Sequence, residues 1–291
     1  MTPLPQALIL ALAFCFSLPL VQISGTLHGQ VVHTDSTLSV AHRLFAEATL
    51  LANQGLHDEA ETRLWQTLSI REKALGLDHP DVALTLHNLG FIYNAQGRYE
   101  EAEPLLRRAL IIRETAFGPQ HLEVALTLNS LAFTYGVQSR YDKAEPLYER
   151  ALAIDEIVLG PNHLEVAHVL SNLGMLYDDL GRYAKAGPIY KRVLAIREAA
   201  LGSSHPDVAN ILINLASLYH HQGRYAEAVP LYRRSLDIRR AELGLEHSDT
   251  SLALENLILA CELLFALPDI VQEHRSITAP ESMAMLCRLS P

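Results

Sequence analysis

Five histidines, His79, His121, His163, His205 and His247, return at a constant step of 42 residues. Imidazoles serve most often as zinc ligands or as general acids and bases, so spacing decides which chemistry is open to them. Histidines sharing one zinc each sit about 2 Å from it, whereas neighbouring packed helices lie about 8–10 Å apart. Side chains spread over five successive joints cannot converge on one ion. No metal site is expected, and the histidines are read as parts of the joints at which helices begin.

The other chemically able side chains keep the same rhythm. All eleven tyrosines fall on three registers: 93/135/177/219, 99/141/183/225 and 148/190/232. No serine, cysteine or lysine stands in a nucleophile motif with a base nearby, and no glycine-rich phosphate loop occurs. The chain therefore reads as a non-enzyme without a cofactor. The 291 residues carry a formal net charge of −10 and an isoelectric point near 5.7. Nucleic acid is excluded as a partner class, since phosphate binding needs clustered Lys and Arg. With 49% hydrophobic and 19% charged residues the chain is folded rather than disordered.

The elements that carry these registers are set by the repeat. "LGLDHPDVALTLHNLG" at 75–90 returns as "FGPQHLEVALTLNSLA", "LGPNHLEVAHVLSNLG" and "LGSSHPDVANILINLA", with Gly at 76, 118, 160, 202 and 244. Each unit predicts two helices. The first runs from about Asp81 to Ala95, with Val82, Leu86, Leu89, Gly90 and Tyr93 on one stripe. Acidic residues at Asp81, Glu123, Glu165 and Asp207 sit in its first turn, where the helix dipole favours them. It stops at "QGRY", where Gly97, Gly181 and Gly223 supply a left-handed residue and Ser139 takes the same place less comfortably. The second helix runs from about Tyr99 to Phe117, with Ala102 and Ala109 allowing close backbone approach. Pro104, Pro146, Pro188 and Pro230 fall inside it, a position that removes one backbone hydrogen bond.

These residues carry a resemblance. "NLGFIYNAQGRYEEAEPLLRRAL" resembles a tetratricopeptide repeat, with Leu89, Gly90, Tyr93, Gly97, Tyr99, Ala102 and Ala109 on that family's signature positions. The ordinary unit has about 34 residues. The 42-residue unit, with its "LGxxHPDVA" joint, is similar to the kinesin light chain type and is longer by about two helical turns. The resemblance implies an all-α fold, a right-handed superhelical solenoid of helix pairs, and a protein-protein interaction scaffold.

The organisation read from the chain is a signal peptide at 1–25, a linker at 26–35, a repeat array at 36–267 and a C-terminal cap and tail at 268–291. The units are 36–75, 80–117, 122–159, 164–201, 206–243 and a partial 248–267. Ala7–Val21 is uncharged and apolar, too short for the roughly 20 residues of a membrane span and of h-region length. Small residues at Ser24 and Gly25 suit a peptidase, although "MTPLPQ" carries no Lys or Arg. Export to the periplasm or medium is the expectation. An uncleaved anchor, with membrane contact through this segment alone, and a cytoplasmic chain with an apolar tail are the alternatives. A mature chain would keep Cys261 and Cys287, read either as two unrelated buried thiols or as a bridge.

Opposite the core stripe of each first helix lie rows that, by the resemblance, line a concave groove. They are Phe91, Phe133, Met175, Ser217, Leu259; Leu84, Leu126, His168, Asn210, Leu252; Asn88, Ser130, Asn172, Asn214, Asn256; and Asn94, Gly136, Asp178, His220, Glu262. The candidate ligand-binding residues are Leu84, Asn88, Phe91, Leu126, Phe133, Asn172, Met175, Asn214 and Asn256. They point to a peptide or protein partner, with apolar anchors and asparagines on the ligand backbone; packing between neighbouring helices is the other reading of these rows. First helices of units two to six contain no Lys or Arg, so a clamp for acidic ligands lacks its cations. Carboxylates near His220 are expected to favour its charged form. The alternative function is structural self-assembly through the apolar last helix, Leu252–Leu267.

Overall fold

The computed structural model describes residues 34–266, all of them in helices or the short turns between them. The segments read as signal peptide and as cap, and nearly all of the linker, lie outside the described residues. Eleven helices follow one another among the described residues: α1 (Thr34–Asn53), α2 (His57–Leu75), α3 (Pro80–Ala95), α4 (Tyr99–Phe117), α5 (Leu122–Val137), α6 (Tyr141–Leu159), α7 (Leu164–Asp179), α8 (Tyr183–Leu201), α9 (Pro206–His221), α10 (Tyr225–Leu243) and α11 (Ser248–Phe265). They form consecutive antiparallel pairs, an all-α tetratricopeptide-type solenoid. At the ends of the array the bounds differ from expectation by two residues: α1 begins at Thr34 rather than 36, and α11 ends at Phe265 rather than 267.

The chain divides between Pro161 and Asn162 into two compact units. In the first, α1–α6 make three helix pairs; in the second, α7–α10 make two pairs and α11 follows. Each pair closes over small residues. Ala102, Ala144, Ala186 and Ala228 are fully buried, and Gly90 in α3 faces Leu106 in α4 so closely that a Cβ there would lie 2.6 Å from the leucine Cγ. At the same register Gly174 faces Tyr190. The larger partner is accommodated because the facing residue has no side chain.

The joint histidines are helix caps. Nδ1 of His79, His121, His163, His205 and His247 accepts the backbone N–H two residues on, at 3.1–3.2 Å. Each sits at the cap position in extended conformation, where a side-chain acceptor satisfies one orphan donor of the first turn. The cap requires a neutral imidazole with its proton on Nε2, a chemical role unlike metal ligation. Second helices run unbroken through Pro104, Pro146, Pro188 and Pro230.

At the turn after each first helix a left-handed residue is required, and the chain supplies Gly97 (φ 75°), Gly181 (φ 67°) and Gly223 (φ 70°). Ser139, with φ 57°, is the one non-glycine residue in that region among those described. Its Cβ makes the conformation costly. Ser139→Gly is expected to raise stability by about 0.5–1 kcal/mol, the lost strain outweighing the gain in unfolded-chain entropy. Chemical denaturation with an unchanged slope checks it; an equal or lower midpoint would mean that Ser139 is not strained.

Candidate functional site

Two sets of arginines fix the architecture before any ligand face is considered. Near the end of the second helices Arg71, Arg113, Arg197 and Arg239 are buried, with exposures of 1–5%. Each donates to a main-chain carbonyl in the first turn of the next first helix: Arg71 to Asp81 at 2.9 Å, Arg113 to Glu123 at 3.0 Å, Arg197 to Asp207 at 3.1 Å and Arg239 to Asp249 at 2.8 Å. Side-chain acceptors complete them: Thr85, Thr127, Ser171 and Asn210. Arg113 also meets the Glu123 carboxylate at 2.6 Å. Burial pulls all four guanidinium pKa values down, against the pull of the neighbouring carboxylates. At this register α6 carries buried Asp155 instead, and the division into two compact units falls at the joint that follows.

The second set lies at the turns. Arg98, Arg140 and Arg224 lie over the rings of Tyr93, Tyr135 and Tyr219, with guanidinium carbons 4.0–4.4 Å from the centroids. Glu61 holds both Arg98 and the Tyr93 hydroxyl, and Glu103 holds both Arg140 and the Tyr135 hydroxyl. Tyr93 and Tyr135 are pushed above the usual phenol range by burial and by those carboxylates. Arg108 and Arg150 reach back across one joint, to Glu72 and Leu77 O and to Glu114 and Pro119 O. These cations are engaged within the fold, at the turns and on the second helices.

Of the candidate ligand residues in the first unit, Leu84, Phe91 and Leu126 are half-buried and Asn88 and Phe133 are buried. In the second unit Asn172, Met175 and Asn214 are buried and Asn256 is half-buried. Of the apolar anchors expected in the row Phe91, Phe133, Met175, two are not open to a ligand: Phe133 and Met175 are each only 5% exposed. Asn88 keeps a shielded Nδ2 with no hydrogen-bond partner. Asn94, by contrast, is used up in an exchange with Thr134, Nδ2 to Oγ1 at 2.9 Å and Oγ1 to Oδ1 at 3.1 Å, which ties α3 to α5. Two imidazoles on the first helices are buried, His87 beside the rows and His168 within one: His87 is held well below the usual histidine range by burial and by Arg113, and His168 is pushed down to about 4 by burial and by Arg197.

A second correction concerns His220. Its charged form is disfavoured, by burial and by neighbouring His221, and its ring packs edge-on to Tyr225 with centroids 5.2 Å apart. The partner of Asp178 is His221, at 3.4 Å. Register spacing put the right carboxylate opposite the wrong histidine, because a step of 42 is not the step at which side chains on adjacent helices meet. Cys261 on α11 is fully buried and disulfide-bonded; Cys15 and Cys287, the other two cysteines, lie outside the described residues.

With this geometry in hand, the repeat can be compared with known proteins. A family model described as tetratricopeptide repeat matches residues 40–115, 81–156, 123–199, 166–241 and 207–264, which spans most of the chain. The chain belongs to the tetratricopeptide repeat family. Its 42-residue unit is of the kinesin light chain type. Among solved structures, the nearly identical TPR-like repeats of a Podosopora anserina protein named for the kinesin light chain align with TM-score 0.57 at 25% identity, over 72% of this chain and 97% of that one. BtubC (BKLC) from P. vanneervenii aligns with TM-score 0.58 at 21% identity, over 90% and 94%. NprR in complex with its cognate peptide NprX aligns with TM-score 0.56 at 16% identity, over 86% and 71%. No curated protein sequence matches at a significant level. Among the described residues of the array no three His, Cys, Asp or Glu are grouped to hold a metal ion.

The buried arginine register was the residue set that sequence reasoning missed. Its signal was present: "IREK", "IRET", "IDEI", "IREA" and "IRRA" align with no gap. Arg113→Ala strips the partner from the Glu123 carboxylate at a site 1% exposed, so it is expected to cost about 3–5 kcal/mol. Urea unfolding checks this. A loss under about 1 kcal/mol would class the pair with exposed, weakly coupled ones.

Proposed function

We propose that the array binds an extended peptide or protein segment along its first helices, with apolar side chains at Leu84, Phe91 and Leu126 in the first unit and polar main-chain contacts from the asparagine register. The observation that carries this reading is Asn88. A buried amide without a partner is costly, and here it stands on the same helix as half-buried Leu84 and Phe91. A ligand carbonyl reaching Asn88 Nδ2 after a small side-chain shift would satisfy it. The fold shared with NprR supports the reading, since NprR is seen with a cognate peptide on that fold. In the second unit Asn172, Asn214 and Asn256 stand at equivalent registers and would extend the same mode of binding. Phe133, being buried, takes no part in it as a free anchor.

The test uses a peptide library displayed against the full array, followed by Leu84→Glu and Leu126→Glu. Selected peptides should lose at least tenfold in affinity while the unfolding midpoint stays within a few degrees. Unchanged affinity in both variants would remove the first unit from the site.

A second reading rests on α11. Leu252, Leu254 and Leu259 on it are exposed at 39%, 37% and 46%, which suits stacking on another copy. Light scattering at micromolar concentration separates the two: the binding reading expects a monomer, and a dimer abolished by Leu259→Glu would favour stacking.

We further propose export. Support comes from the uncharged apolar run Ala7–Val21 and from the disulfide at Cys261, a bond that persists in oxidising compartments. Mass spectrometry of protein from its native host should find a mature chain starting near Thr26. An intact Met1 or Thr2 in the soluble cytoplasmic fraction would overturn it.

A further inference from the structure

In the second unit, two like pairs of ionisable residues occupy the same register one repeat apart: Asp178–Asp179 close α7 and His220–His221 close α9. Carboxylates at a helix C-terminus oppose the helix dipole, whereas imidazoles there are favoured when charged. At these registers the other first helices carry Ala52–Asn53, Asn94–Ala95, Gly136–Val137 and Glu262–Leu263, so the paired arrangement is particular to this place among the described residues.

The surroundings concentrate the charge. The Asp178 side chain is 3% exposed and lies 3.4 Å from Nδ1 of His221, whose own side chain is 50% exposed. Asp179 beside it has a shielded Oδ2 with no hydrogen-bond partner. From α8 comes Tyr190, fully buried with an unpartnered hydroxyl, and Tyr183, whose ring centroid is 6.3 Å from that of His221. From α10 come Tyr232, which bonds Ser217 of α9 at 3.0 Å, and Tyr225, which packs against His220. Lys185 of α8 is engaged over the ring of Tyr177, 4.5 Å from its centroid. His221 meets Asp178 directly, and its positive charge acts on Asp179 as well.

We propose that Asp178, Asp179 and His221 form a proton-operated latch joining the C-terminal ends of α7 and α9. When His221 carries its proton and Asp179 holds one, a single ionised carboxylate faces a single imidazolium and the helix ends are clasped. As protons leave, two carboxylates remain beneath a neutral ring, and the clasp loosens. The latch does not depend on what the array binds.

Both titrations push the same way. The hydrogen bond to Asp178 and the charges of Asp178 and Asp179 raise the His221 pKa above 6.5, against burial. The stability this contributes is complete below 6.5 and is lost as pH rises through the raised value. Burial first, and then the charge of Asp178, raise Asp179 from 3.8 to about 6. A carboxyl with a raised folded pKa weakens the fold as it ionises, so this loss develops as pH climbs from 3.8 to about 6. Tyr190 is pushed up by burial and by both carboxylates, and Tyr232 by burial and by Asp178 against its bond to Ser217; both remain neutral and add no compensating charge.

The experiment compares thermal unfolding of the full chain with its Asp179→Asn and His221→Gln variants at about pH 4.5 and about pH 8, well below and well above the ordinary histidine pKa. The capping histidines and all other titrating groups are common to the three proteins, so differences between them isolate the latch. Asp179→Asn should raise the midpoint by several degrees at the higher pH, an advantage that falls by at least half at the lower. His221→Gln should lower the midpoint at the acid end and match the parent at the alkaline end. In the NMR titration of the intact chain the His221 ring should titrate above the usual histidine range, and Asp178→Asn should bring it down. Differences independent of pH, or a His221 that titrates at its ordinary value in the parent, would overturn the latch.

Discussion

Each second helix must hand the chain to the next first helix at a fixed angle, and a buried guanidinium performs that task at four of the five joints described. Arg71, Arg113, Arg197 and Arg239 each reach a carbonyl in the following first turn. A guanidinium is always charged and offers five donors in a planar fork, so one side chain can satisfy a carbonyl, a hydroxyl and a carboxylate together. Desolvating it is costly, and the cost is recovered only while all those acceptors stay in place. The interaction therefore specifies a geometry as much as it stabilises one. Histidine caps complete the same joints from the other side by satisfying a donor of the same turn.

A solenoid of this kind has no central core, and each pair is stabilised by its neighbours. Charge inversion at one register then has a local meaning. Asp155 stands where the other joints have arginine, and the compact units meet their sequence boundary at the next joint, between Pro161 and Asn162. The tyrosine–arginine–glutamate contacts at the turns do a second job. They engage Arg98, Arg140 and Arg224 at the turns, while the first helices of units two to six carry no Lys or Arg. The Asp178–His221 pair lies one residue off the 42-residue step and joins the ends of two successive first helices.

The sequence by itself determined the element list. A constant step of 42 residues, a 3.6-residue apolar stripe and glycine at each turn left one way to place the helices, and helices α3 to α10 fall within one residue of the expected bounds. It also determined that joint histidines act at helix starts, because five imidazoles spaced by a repeat cannot meet. Tertiary structure alone decided which polar residues pair. Asp178 takes His221 rather than His220, Asn94 is consumed by Thr134 while Asn88 is left with an unpartnered amide, and Phe133 and Met175 sink below the surface. The physical reason is that periodicity fixes the direction of a side chain around its own helix to within part of a turn. A hydrogen bond needs placement to a few tenths of an ångström, and that is set by how closely small residues such as Gly90 and Ala102 let neighbouring helices approach.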